Sequence, residues 1–151
     1  MRRLVVCVLA LVLCGCAIPK DPDNTLARVD QEHVMVVGVA PSPPQVELRD
    51  GVPSGPEAEL ATRFAATRGA RVEWVVAGQE ELVKKLEEGQ IDLMVGGLTS
   101  KSPFKSKVGL TRDYATEVDE HGDKVKRVVA APLGENALVT ALETWFDQCR
   151  P

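Results

Sequence analysis

Three short apolar runs, residues 34–39, 72–76 and 91–95, alternate with two stretches of helical periodicity, and this order constrains the fold of the 151-residue chain most tightly. The runs are rich in β-branched residues, and the first ends in Pro41-Ser42-Pro43-Pro44, as buried strands feeding loops do. That loop is expected to turn at Asp50-Gly51. Ser54-Gly55-Pro56-Glu57 has capping-box spacing with Pro in the first turn, and Leu60, Ala61, Phe64 and Ala65 then recur at helical spacing until Gly69. Leu82, Val83 and Leu86 share one face of a second helix over 79–88. Strands alternating with helices of this length pair in parallel through right-handed crossovers. The expected class is therefore α/β, a mostly parallel sheet covered by helices. A mixed apolar run at 125–131 follows, and then a helix from about Glu135 whose Ala137, Leu138, Ala141, Leu142, Trp145 and Phe146 form one stripe. Trp74, Trp145 and Phe146 sit at core spacing.

The amino terminus has a different character. Arg2 and Arg3 precede ten apolar residues, 4–13, too few to span a bilayer, which takes roughly 20. Leu13-Cys14-Gly15-Cys16 then has the look of a bacterial lipobox. Cleavage before Cys16 would remove Cys7 and Cys14, and acyl chains on Cys16 would exceed the two lipid signals that stable anchoring needs. The expected organisation is a signal peptide at 1–15, a lipidated Cys16 with a flexible tether to residue 32, and a folded lobe over 33–150. The tether rests on Pro19, Asp21, Pro22, Asp23 and Asn24 and few large apolar residues. Ala17, where inner-membrane retention often has Asp, points to the outer membrane in a Gram-negative source. Only Cys149 would remain as a thiol, so no internal disulfide framework is available. The formal net charge is −4 and becomes more negative once Arg2 and Arg3 are lost, which argues against nucleic acid as a partner.

Residues 34–114 resemble the first lobe of the family 3 extracellular solute-binding proteins, two-lobed receptors for polar amino acids in ABC importers. Pro43-Pro44 after the opening strand, Gly55-Pro56-Glu57-Ala58-Glu59-Leu60 at the first helix and Gly69-Ala70-Arg71-Val72-Glu73 at its end each look like the family pattern. Leu86-Glu87-Glu88-Gly89-Gln90-Ile91-Asp92-Leu93 is similar to its Leu-x-x-Gly-x-x-Asp stretch, and Gly97-Leu98-Thr99 to its Gly-Met/Leu-Thr turn. The resemblance implies a single periplasmic-binding-protein-like lobe, a small polar or anionic solute, and an ABC permease or other envelope protein as partner. Three departures accompany it. Gln45 stands where the family has a ligand-stacking aromatic. Phe104 stands where it has the carboxylate-clamping Arg, with Lys101 in place of that motif's Thr. Only about ten polar residues, 115–124, occupy the place of a second lobe.

Ligands of open parallel sheets gather at the carboxyl ends of strands, which nominates Gln45, Glu57, Gly97, Thr99, Lys101 and Lys105. Thr99 would offer a hydroxyl, Gly97 close-approaching backbone, and either lysine a charge for an anionic group. Glu57 and Glu59 could meet a ligand amine or serve the helix dipole. His33 and His121 lie beside no nucleophile or second metal ligand, so neither catalysis, a metal nor a cofactor is expected. Two functions follow: a lipid-anchored solute-binding lobe, or an envelope interaction module with no small-molecule ligand.

Overall fold

The computed structural model describes residues 21–149; the expected signal peptide and Cys16 lie outside them. The chain runs through α1 (Thr25–Glu32), β1 (Val34–Val39), β2 (Glu47–Arg49), β3 (Val52–Ser54), α2 (Pro56–Thr67), β4 (Arg71–Val76), α3 (Gln79–Glu87) and β5 (Leu93–Val95). It continues with β6 (Val108–Leu110), β7 (Ala115–Val118), β8 (Lys124–Arg127), β9 (Ala130–Pro132) and α4 (Asn136–Cys149). A five-stranded sheet in the order β4-β1-β5-β9-β6 forms the body. β1 pairs in parallel with β4 and β5, whereas β9 runs antiparallel to β5 and β6. The α/β class is as expected.

Side chains alternate across the central strands with period two. Met35, Val37 and Val39 of β1 and Leu93 and Val95 of β5 meet Phe64 of α2 and Leu138, Leu142 and Phe146 of α4. Met94 faces the other way, with Leu82, Val83 and Leu86 of α3 and Ile91 and Val108. Gly38 lets α3 close onto this second face: a Cβ there would lie 2.5 Å from Ile91 Cδ1 and 2.8 Å from a Leu82 methyl. The expected strand at 72–76 is an edge strand, so its residues are only half-buried or exposed. Among the described residues no helix is long and apolar enough to cross a membrane.

Three expectations are corrected. The tether does not extend to residue 32, because 25–32 form α1, docked with Val29 fully buried. Its attachment is largely polar: Arg28 pairs with the buried Asp92, whose second oxygen accepts the Val36 N–H at 2.8 Å. Asp30 pairs with Arg68, which holds the Asp30 carboxyl below its ordinary range. The apolar run at 125–131 is split between two sheets, β8 pairing with β7 in a hairpin and β9 entering the main sheet. The capping box is not formed: α2 starts at Gly55 without a side-chain cap, and Ser54 Oγ donates instead to the Glu47 carbonyl. Asp50 and Gly51 both have positive φ, joining β2 to β3 in the tight turn that suits a hairpin. The β7–β8 hairpin occupies the place where a second lobe was looked for. Its turn is tied by Asp119, whose carboxylate accepts the N–H groups of His121 and Asp123, each at 2.9 Å.

Asp92→Ala is expected to lower stability by about 2 kcal/mol, since it leaves the Val36 N–H unpaired and Arg28 without its partner. Amide exchange should rise first in α1. Unchanged protection of the Val29 amide would show that α1 docks without this contact.

Candidate functional site

The carboxyl ends of β1 and β5 open onto the loops 40–46 and 96–99, and the first structural fact there is a carboxylate. Glu57 is fully buried. Its Oε2 accepts the N–H groups of Gly96 at 2.7 Å and Gly97 at 2.9 Å, and its Oε1 accepts the Tyr114 hydroxyl at 2.6 Å. Burial, and then the neighbouring Glu57 charge, push the Tyr114 phenol well up, so it remains a donor. Two consecutive backbone N–H groups with positive φ at both glycines form the kind of concavity that receives anions. Here the chain's own carboxylate fills it.

Beside this contact lies a charged chain of hydrogen bonds. The buried Gln45 donates its amide to Glu117 Oε1 at 3.2 Å and Oε2 at 3.0 Å. Arg127 Nε donates to Glu117 Oε2 at 2.8 Å, and its Nη1 to the Gly97 carbonyl at 3.3 Å. Ser42 closes the same corner, for a Cβ on Gly97 would stand 2.3 Å from Ser42 Oγ. β8 is sewn to the loop after β5 by a bridge between Thr99 and Arg127 and by Val128 N–H to the Leu98 carbonyl at 3.1 Å. The Arg127 side chain is 18 % exposed and that of Glu117 38 %. An opposite-charge pair is therefore held at the strand ends, within reach of solvent.

The expected site residues divide accordingly. Gln45, Glu57, Gly97 and Thr99 are brought together, and both oxygens of Glu57 are occupied within the protein. Thr99 Oγ1 accepts the Lys101 N–H at 3.3 Å. Lys101 and Lys105 are exposed on the segment beyond. Phe104, standing where the family's clamping Arg would be, packs against the second face of the core. The cation that does reach the loops is Arg127, which the sequence reading missed together with Glu117 and Tyr114. In the structure Lys124 and Lys126 are exposed while Val125 and Arg127 are half-buried, the alternation of a strand with one covered face. A separate cavity of about 330 Å³ lies between α2 and α4, lined by Glu59, Arg63, Tyr114, Trp145 and Cys149 among others. Of the residues weighed as ligand contacts, Glu59 reaches it. Among the described residues, no group of three or more His, Cys, Asp or Glu could hold a metal ion.

Comparison with known proteins gives a consistent family. The model of the bacterial extracellular solute-binding proteins, family 3, matches residues 35–150. Among curated proteins, the membrane-bound lytic murein transglycosylase F of Maricaulis maris is 36% identical over 126 residues, covering 79% of this chain and 27% of that protein. The protein of the same name from Vibrio cholerae serotype O1 (strain ATCC 39541) is 30% identical over 100 residues, covering 66% of this chain and 19% of that protein. The matches thus span about a fifth to a quarter of the length of these relatives. The arginine-bound form of domain 1 from TmArgBP superposes with a TM-score of 0.71 at 19% identity, covering 80% of this chain and 97% of that one. An ancestral cationic amino acid solute binding protein gives 0.72 at 14% identity, covering 82% and 93%. With its mixed α/β sheet, its Gly96–Gly97 turn and a family match over most of its length, the chain belongs to the bacterial extracellular solute-binding proteins, family 3, and has the fold of a single lobe.

Proposed function

We propose that the chain is a lipid-anchored, extracytoplasmic domain that binds a small zwitterionic or anionic solute at the strand ends, without catalysing a reaction. The observation that carries this reading is the Arg127–Glu117 pair at 2.8 Å beside the Gly97 carbonyl. A guanidinium is a planar fork suited to a carboxylate, and the adjoining carboxylate suits an amine. β8 thus supplies the guanidinium that position 104 lacks. A single lobe encloses less of a ligand than a closed two-lobed cleft, yet a structural neighbour is described as the arginine-bound form of domain 1 from TmArgBP, which supports binding by one lobe. The relatives named as transglycosylases are matched over a minor part of their length, so their activity is not carried over. An ABC permease would be a natural partner if the solute is imported.

The filled Gly96–Gly97 concavity favours a second reading, in which the strand-end face docks an envelope protein and no solute. Its partner would compete for the same face.

Titration calorimetry of residues 21–151 with L-arginine, L-glutamate and inorganic phosphate separates the two. Arg127→Ala is expected to weaken binding at least about tenfold, the scale of a hydrogen bond to a charged group, whereas Lys101→Ala leaves it unchanged. No heat from any of the three at millimolar concentration, or an affinity indifferent to Arg127, would overturn the solute-binding reading.

A further inference from the structure

We infer that the anchor holds this domain with the amino-terminal edge of its parallel strands toward the bilayer and the Arg127–Glu117 loops facing away from it. The inference rests on the reading of Cys16 as the lipidated residue, and adds to it a geometry that the fold imposes.

Asp21 is held to the body of the domain. Its N–H donates to the Gly134 carbonyl at 3.1 Å, and its carboxylate accepts the Ala137 N–H at the start of α4 at 2.5 Å. Glu135, 1 % exposed, reciprocates: its two oxygens accept the N–H groups of Asp23 at 2.8 Å and Thr25 at 2.7 Å, at the start of α1. Each of these helices thus receives a carboxylate from the other's approach, satisfying amides that helix starts leave unpaired. Residues 21–25 are fixed to the body by these contacts.

Their place in the fold follows from the sheet. β9 is antiparallel to β5 and β6 and ends at Pro132, paired with Val108 at the start of β6. Residues 133–137 therefore lie at the edge where β1, β5 and β6 begin, and 21–25 lie there with them. Asp23 also approaches Gly89, which precedes β5, to within 3.8 Å of where a Cβ would stand. The loops that carry Arg127, Gly97 and Gln45 are at the opposite edge.

The distances then select one orientation. From Cys16 to Asp21 there are five residue steps, at most about 18 Å fully extended. The five steps from Val34 to Val39 of β1 span about 17 Å, and the attachment at Asp21 and the loops at the carboxyl end of β1 lie beyond its two ends, which carries the far edge out of the leash's reach. Turning the strand-end loops onto the bilayer would require the attachment point to stand farther from the membrane than the leash reaches. The leash permits tilting but not inversion.

A lipid-headgroup quencher tests this on the full-length, processed protein. Single fluorophores are placed at Leu133→Cys, at the amino-terminal edge, or Lys101→Cys, at the far edge, each with Cys149→Ser, and the protein is reconstituted in phosphatidylethanolamine–phosphatidylglycerol vesicles carrying a headgroup nitroxide. Leu133 is 58 % exposed and so accepts a label. Quenching at 133 is expected to exceed that at 101 several-fold, and a twenty-residue Gly/Ser insertion between Lys20 and Asp21 should abolish the difference. Equal quenching with the native leash, in protein whose intact mass includes the lipid, overturns the orientation and leaves the anchor standing. A difference that survives the insertion also overturns it, since the leash is then not its cause. A mass without lipid overturns the anchor and the orientation together.

Discussion

Glu57→Ala is expected to lower the free energy of unfolding by about 4 kcal/mol, because it strips three donors of their acceptor at once, at roughly 1–3 kcal/mol for each unsatisfied group. The donors are the N–H groups of Gly96 and Gly97 and the Tyr114 hydroxyl. Glu57 and Gly96 are buried, whereas Gly97 and Tyr114 are half-buried, so the loss is greatest at the Gly96 N–H. Against a total stability of about 5–15 kcal/mol such a loss is large. Urea unfolding followed by tryptophan fluorescence measures it. Glu57→Gln should cost markedly less, since its amide oxygen can keep the two glycine N–H groups while the Tyr114 hydroxyl rotates to accept. A loss below about 1 kcal/mol for the alanine variant would show that the carboxylate does not tie α2 to β5, and would reopen Glu57 as a contact for ligand amines.

Gly96→Ala should follow closely, at about 3 kcal/mol, combining a backbone conformation strained for an L side chain with a steric clash. Gly96 has a φ of 144°, and a Cβ on it would lie 2.5 Å from the Ala40 carbonyl oxygen and 2.7 Å from the Ala40 Cβ. Neither neighbour can rotate aside, so β1 and β5 must part at their ends. Gly97→Ala is the instructive comparison. Its φ is 70° and its nearest obstacle is Ser42 Oγ at 2.3 Å, a side-chain atom that can move. Ser42→Gly should therefore recover part of the loss in Gly97→Ala and none of the loss in Gly96→Ala. Thermal unfolding of the four variants distinguishes these outcomes. The effects of Gly96→Ala and Glu57→Ala should be less than additive, because both disturb the same N–H pair.

What the sequence conveyed and what it concealed differ in physical kind. β1, β5, α2, α3 and α4 announce themselves because each buries an apolar face, and burial leaves a periodic trace at 2 or 3.6 residues. α1 leaves a faint one: Leu26 and Val29 are its only large apolar residues, and it is held mainly by Arg28, Asp30 and Glu135 to partners distant in the chain. Its Pro- and Asp-rich approach reads as a linker, although Asp21 and Asp23 are engaged in helix starts. The inward contact of Glu57 is hidden for a related reason. An acid in the first turn of a helix has a sufficient local explanation in the dipole and the cap, and nothing local reveals that it points inward to Gly96. Arg127 was hidden by an apolar run that continues through it into β9, although the run serves two sheets. Polar contacts between segments remote in sequence carry no period, and the site is built almost wholly of them.

The β7–β8 hairpin has one further consequence. Ala115 and Arg127 are paired residues, and the Tyr114 N–H donates to the Arg127 carbonyl at 3.0 Å, so the chain departs from the sheet and rejoins it at a single doorway. The entropy of closing such a loop rises only slowly with its length. A tight polar turn and an entire folded insert are therefore nearly interchangeable occupants of that doorway, and exchanging one for the other leaves the five-stranded sheet and its buried Glu57 contact as they are.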